Sequence, residues 1–219
     1  MILSRRIAPL GALMLLGGCV GSLLGGGRPD DLYRLESGLV AAPVLAPTPA
    51  AERPLLLLPV VIAPEVQGDR ILTIRGTQAS YVKDARWVSP ASDMIEGLAR
   101  QAFAARAPDI LVTSPRQAAG ADYALQVSVR RFEAVYRTAE NKEAPPAALV
   151  EGDARLFRTK DRTVVATRHF AAEAPAAENR VGAIVAAFGT AADRYLADLV
   201  DWTSQSAVPI AEAQRRPGR

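Results

Sequence analysis

Between Ala121 and Tyr136 apolar residues alternate with polar ones, and the alternation changes phase once. The apolar positions are first odd-numbered and then even-numbered: Tyr123, Leu125, Val127 and Val129, followed by Phe132, Ala134 and Tyr136. Successive strand residues point to opposite faces of a sheet, so a regular strand cannot hold both sets on one face. The pattern therefore predicts one long strand with a β-bulge near Arg130 and Arg131.

Two further strands are expected after this one. Alternating small and apolar residues run from Ala148 to Leu156, and a second run from Val164 to Phe170 follows the polar turn Lys160-Asp161-Arg162. Together the three segments predict an antiparallel meander.

The rest of the chain supplies shorter strands and two helices. We expect a buried strand over residues 55–62 that is weakened by Pro59, a hairpin from 71–74 and 78–82, and a strand at 109–113. Ser89 as N-cap and Pro90 at the first helical position predict a helix to Arg106, and apolar spacing predicts a second from Val181 to Leu199. With 49% hydrophobic residues, the expected fold is a single α/β domain whose mixed, largely antiparallel sheet packs with two principal helices.

The only cysteine, Cys19, follows a short apolar segment. Arg5 and Arg6 precede that segment, and Leu16-Gly17-Gly18-Cys19 has the leucine and the small residues of a lipobox. We predict cleavage between Gly18 and Cys19 and attachment of acyl chains such as palmitate to a lipid-modified Cys19. The segment is shorter than the roughly 20 residues that span a bilayer. An ordinary cleaved signal or a short membrane anchor remains the alternative. The residue after Cys19 is Val20, not the aspartate that commonly retains lipoproteins in the inner membrane of enterobacteria. The outer membrane is therefore favoured over the inner membrane.

This organisation predicts four segments. Residues 1–18 form a signal peptide, and residues 19–53 form a lipidated, Gly/Pro/Ala-rich tether in which 32–35 has strand character and is able to dock. Residues 54–204 form the folded domain, and 205–219 form a disordered basic tail, with a membrane or partner contact for the tail as the alternative. Lipidation would leave no thiol for a disulfide.

The sequence contains little that points to catalysis. His169 is the only histidine, and its strand position predicts a surface side chain. One histidine and one lipidated cysteine cannot provide a zinc site, and no Gly-x-Ser-x-Gly elbow occurs. Glu133 and Glu151 could face each other across neighbouring strands, but acidic residues also decorate ordinary sheets. We predict a protein that is not an enzyme and has neither metal nor cofactor.

Binding is the favoured class of function. The formal net charge is +3, and two of these charges leave with Arg5 and Arg6, which argues against a nucleic-acid partner. Aromatic side chains often anchor interfaces, and the candidates are Tyr81, Trp87, Tyr136 and Trp202. The alternative is that these four side chains belong to the core or its border.

The assembled pattern resembles the ABC-type transport auxiliary lipoproteins, a family that includes the lipoprotein of the paraquat-inducible operon. The similar features are the lipobox, the apolar strand at 55–62, Tyr33-Arg34-Leu35, Ala85-Arg86-Trp87 before Ser89-Pro90, Arg131-Phe132-Glu133, and the helix end at Leu199-Val200-Asp201-Trp202. The resemblance covers roughly residues 31–202.

The resemblance implies an α/β domain and a role in intermembrane lipid transport. Its partners would be a substrate-binding protein of the MCE type, an ABC permease and an ATPase, with this lipoprotein docking the assembly at the outer membrane. It implies no catalytic residue, and a homo-oligomer stays open. The rival functions are an outer-membrane assembly lipoprotein that binds a β-barrel and a lipoprotein esterase that uses a serine with His169.

Overall fold

The computed structural model of the protein describes residues 29–39, 53–117, 120–137 and 144–215. Within them, the strands are β1 (Asp31–Tyr33), β2 (Arg53–Leu57), β3 (Val61–Ile62), β4 (Arg70–Arg75), β5 (Gln78–Trp87), β6 (Ile110–Thr113), β7 (Tyr123–Tyr136), β8 (Ala147–Arg158) and β9 (Val164–Pro175). The two long helices are α1 (Ala91–Arg106) and α2 (Val181–Arg215). Short 3-10 helices span Pro64–Val66 and Pro115–Gln117.

The long strand β7 is the centre of the sheet. Along one edge it pairs antiparallel with β8, which pairs antiparallel with β9, so the predicted meander is confirmed. The register between β7 and β8 shifts between Val129 and Arg131, which confirms the predicted bulge. Gly152 lies opposite this bulge, paired with Val129.

The other edge of β7 is shared by three strands in parallel orientation. β2 pairs with its first residues, β3 with Ser128 and Val129, and β4 with its last four residues. β6 extends the sheet beyond β2, while β5 and then β1 extend it beyond β4. The sheet is therefore mixed, as predicted, and its longest pairings are antiparallel.

One hydrophobic core joins the sheet to both helices. α2 packs against β8 and β9, and α1 packs against α2 and β6. The phase change in β7 keeps both apolar sets on the core side, where Val127 and Phe132 are 1% exposed. Phe132 contacts Trp87 and Phe188 with ring centroids 5.6 and 4.7 Å apart, which ties β7 to β5 and α2.

The structure differs from the sequence predictions in several element boundaries. α1 begins at Ala91 with Pro90 as its N-cap, and there is no side-chain cap because proline carries no side-chain acceptor. The Ala91 amide donates to the Gly68 carbonyl. Ser89 is therefore not the N-cap. Pro59 divides the predicted strand into β2 and β3 because proline has no amide hydrogen for the ladder.

The two ends of the domain also differ from prediction. β1 lies in the segment predicted as tether, where residues 32–35 had been given strand character, and it pairs with β5, so the folded domain begins earlier than residue 54. α2 continues to Arg215, where a disordered tail was predicted from residue 205. A helix that is already nucleated adds one hydrogen bond per residue without needing an apolar face.

Candidate functional site

A cluster of charged side chains surrounds the bulge on the sheet face opposite the helices. We call it the bulge cluster, and its members are Arg130, Arg131, Glu133, Glu151, Asp153 and His169. The register brings them together from three strands, because Arg131 is paired with Glu151 and Asp153 is paired with His169. The bulge places two successive arginines beside the acids of β8.

Arg131 bridges Glu133 and Glu151, the two acids that the sequence placed on neighbouring strands. Its Nε and Nη2 donate to Glu133 Oε1 at 2.8 and 2.6 Å, and its Nη1 donates to Glu151 Oε2 at 3.4 Å. Glu133 is only 7% exposed, and this guanidinium is the ion-pair partner that a buried carboxylate requires. Burial lowers the pKa of Arg131, but hydrogen bonding and charge from Glu133 outweigh it and the pKa is raised. This pairing is that of a structural ion pair.

His169 is half-exposed, with 49% of its side chain accessible, as predicted for a surface histidine. Its Nδ1 lies 2.9 Å from Arg130 Nη2 and 3.2 Å from Asp153 Oδ1, and its Nε2 lies 3.8 Å from Glu151 Oε1. These contacts orient the ring, but none is with a hydroxyl that the imidazole could activate as a nucleophile. Across the described part of the chain, no group of three or more His, Cys, Asp or Glu residues could hold a metal ion.

The two tryptophans proposed as partner contacts lie in the core. Trp87 is 2% exposed and stacks edge-on against Phe188 at 5.3 Å, while Trp202 is 9% exposed and lies 5.7 Å from Phe170. Their burial agrees with the alternative interpretation, in which these aromatics hold the domain together.

Tyr81 and Tyr136 lie on β5 and β7, the two strands that pair with β4, and both are partly exposed. The Arg70 guanidinium lies 3.8 Å above the Tyr81 ring, whose hydroxyl donates to the Glu65 carbonyl at 2.9 Å. The Arg75 guanidinium lies 4.1 Å from the Tyr136 ring, whose hydroxyl donates to Asn179 Oδ1 at 2.7 Å. Burial raises the pKa of Tyr136, and the charge of Arg75 opposes that shift. A partner contact by Tyr81 or Tyr136 stays a prediction.

The sequence signals at the amino terminus fall outside the described residues. These are the signal peptide 1–18, the cleavage site between Gly18 and Cys19, and the lipidation site itself. Within the described ranges, no helix is both long and apolar enough to cross a bilayer.

A family model described as the ABC-type transport auxiliary lipoprotein component matches residues 33–200. The chain belongs to this family. The match runs from the end of β1 through most of α2 and includes the whole bulge cluster. The resemblance deduced from the sequence is therefore confirmed, and the family is described as an auxiliary transport component, not as an enzyme.

Solved structures support the same fold. Protein XCC0632 from Xanthomonas campestris is 27% identical, with a TM-score of 0.71 over 84% of this chain and 99% of that one. An uncharacterized protein at 16% identity has a TM-score of 0.62 over 80% of this chain and 99% of its own. No curated protein matches the chain significantly.

Proposed function

We propose that this auxiliary lipoprotein is held in the outer membrane through lipidated Cys19 and serves an MCE-associated intermembrane lipid transport system without catalysing a reaction itself. The observation that carries the proposal is the family match over residues 33–200, which begins after the lipobox at Cys19. Its partners would be an MCE-type substrate-binding protein and the ABC permease and ATPase of the same system.

The proposed anchor provides localisation. Several acyl chains on Cys19 would bind a bilayer far more firmly than one chain, whose binding is marginal and reversible. A domain confined to the membrane surface meets its partners at a high effective concentration, so even a weak protein contact is occupied. The energy for transport would come from the partner ATPase.

Two features of the domain support a binding role. The members of the bulge cluster form ion pairs with one another, and the contacts of His169 include no hydroxyl. Tyr81 and Tyr136 remain partly exposed and offer the amphipathic surface that partner contacts favour. We propose these two tyrosines as the first positions to test for contact with the MCE-type protein.

The deciding experiment is crosslinking in intact envelopes, followed by affinity purification of the protein and mass spectrometry. We expect an MCE-domain protein with its permease and ATPase, and we expect recovery to fall at least fivefold for Cys19→Ala. Fractionation of the two membranes and mass measurement of the mature amino terminus test the anchor separately. Recovery of a β-barrel alone would favour the assembly lipoprotein instead.

The esterase alternative has its own control. His169→Ala would abolish an esterase that relies on imidazole, whereas an auxiliary transport component should keep its partners and its transport activity. Arg155→Ala is the matched variant, because Arg155 is an exposed residue of the neighbouring strand.

A further inference from the structure

Residues 31–39 cross from β5 to α2, and we call this segment the strap. β1 pairs with the last residues of β5, and beyond it the Val88 amide donates to the Tyr33 carbonyl at 2.8 Å. Leu35 is 4% exposed and joins the hydrophobic core. Tyr33 and Leu39 also pack against this core, so the strap is held on the domain through both its backbone and its apolar side chains.

α2 contains two features that fit the strap. At Gly189 an added Cβ would lie 2.6 Å from the Glu36 carbonyl oxygen, so only glycine lets the strap backbone approach the helix this closely. One turn later, the Asp193 carboxylate accepts hydrogen bonds from the Ser37 hydroxyl and, at 2.7 Å, from the Gly38 amide. Glycine is less favourable than alanine inside a helix, so its presence here is explained by the strap that lies against it.

The geometry points to a peptide-binding site on β5 and α2 that takes an extended segment with a hydroxyl residue followed by glycine, and whose occupant is the strap of the same chain. Backbone pairing with β5 provides affinity, as in strand addition to a sheet edge. Asp193 provides selectivity, because its two oxygens accept from one hydroxyl and one amide at fixed spacing.

Occupancy of this site sets how far the domain can move from its anchor. With the strap bound, twelve peptide units separate Cys19 from Asp31 and span at most roughly 43 Å at full extension. With the strap released, the connection is counted to Arg53, where β2 begins, and the maximum span at full extension rises to roughly 122 Å. This consequence rests on the proposed lipid anchor, whereas the site itself does not.

Two variants of α2 test the site in the full mature chain. Gly189→Ala introduces the clash with Glu36, and Asp193→Ala removes both acceptors. The matched controls lie on the same helix: Gly182→Ala, where an added Cβ meets nothing within 4 Å, and Asp198→Ala at an exposed position. We expect hydrogen exchange at the Val88 amide to become at least tenfold faster in the first pair and to stay within twofold of the native rate in the controls.

A third variant distinguishes release of the strap from unfolding of the whole domain. Leu35→Asp weakens the strap from its own side and leaves α2 unchanged, so Val88 exchange should again accelerate while amides in β8 keep their protection. Native exchange at Val88 in all three variants would overturn the site. Dimers in sedimentation that disappear in Leu35→Asp would also overturn it, because the strap of a second copy would then be the occupant.

The distance that the domain can move from the membrane, its reach, is measured separately. This experiment uses the lipidated protein in phosphatidylethanolamine and phosphatidylglycerol vesicles. Energy transfer from a dye at Lys160→Cys to acceptor lipids should fall at least twofold in Gly189→Ala and remain native in Gly182→Ala. Unchanged transfer with accelerated Val88 exchange would refute the control of reach but leave the site intact. Failure of the native protein to bind vesicles would count against the proposed anchor alone.

Discussion

Gly152→Ala should destabilise the domain, because the added methyl group overlaps the backbone of β7. The new Cβ would lie 2.2 Å from the Ser128 carbonyl oxygen and 2.9 Å from Val129 Cα. Both are backbone atoms of β7 at the bulge, so a rotamer change cannot relieve the overlap. Overpacking of this kind typically costs 1–3 kcal/mol, and we take about 3 because the backbone itself must shift.

The intrinsic effect of replacing glycine acts in the opposite direction. Alanine in a strand is better than glycine by roughly 0.5–1 kcal/mol, which leaves a net loss of about 2 kcal/mol in the free energy of unfolding. For a domain of this size that loss corresponds to a decrease in Tm of roughly 4–8 °C.

Circular dichroism during thermal unfolding of the mature chain measures the effect. Gly97→Ala is the matched control, because an added Cβ on this α1 residue meets nothing within 4 Å. We expect that control to unfold at the native Tm or slightly above it. A Gly152→Ala protein that unfolds within about 1 °C of the native one would refute the close approach of β8 to the bulge.

Three further predictions concern the bulge cluster and Tyr195 of α2. Arg131→Leu leaves the buried Glu133 without its guanidinium, so the free energy of unfolding, measured with urea at pH 7, should fall by about 2 kcal/mol. This loss is smaller than that for a fully buried ion pair because Arg131 is 43% exposed. Glu133→Gln in that background should restore part of the loss, and no recovery would contradict the role of the buried charge. Burial, reinforced by the charge of Asp153, raises the pKa of Tyr195, so the folded state keeps its phenolic proton above pH 10 while the unfolded state loses it. The free energy of unfolding should therefore fall as pH rises through this range, and Tyr195→Phe should reduce the slope; a slope identical to the native one would exclude Tyr195 as its source. His169→Ala should change the free energy of unfolding by less than about 1 kcal/mol, as measured by urea, because its ion pairs are half-exposed.

The alternation in the sequence was sufficient to predict the meander and its bulge. Two sets of apolar residues of opposite parity demand a phase change, and a bulge is the local structure that provides one. The extent of β9 was underestimated, because Ala171, Ala172 and Ala174 continue the strand without a strong apolar signal.

The parallel half of the sheet could not be predicted in the same way. β2 and β3 are apolar on both faces, and such segments carry no alternation that would specify which neighbour they pair with. Their pairing with β7 depends on crossovers through α1 and the hairpin. The strand character of residues 32–35 was apparent, but its acceptors were not, since Gly189 and Asp193 are ordinary residues of an amphipathic helix until the strap lies against them.

The bulge cluster, too, was only partly predictable from the sequence. The surface position of His169 followed from strand parity, and Glu133 with Glu151 could be placed on neighbouring strands. The burial of Glu133 could not be predicted, because it depends on a guanidinium that the bulge turns toward it.

The central place of β7 has a consequence for the order of folding. β2, β3 and β4 each pair with β7, a strand that is much later in the chain. Leu55, for example, pairs with Tyr123, and Leu72 pairs with Glu133. Contacts so distant along the chain slow folding, because a long loop must close before any pairing energy is gained. A chain that emerges amino terminus first can form the β4–β5 hairpin and α1 early, but the sheet assembles only after residue 136 has appeared.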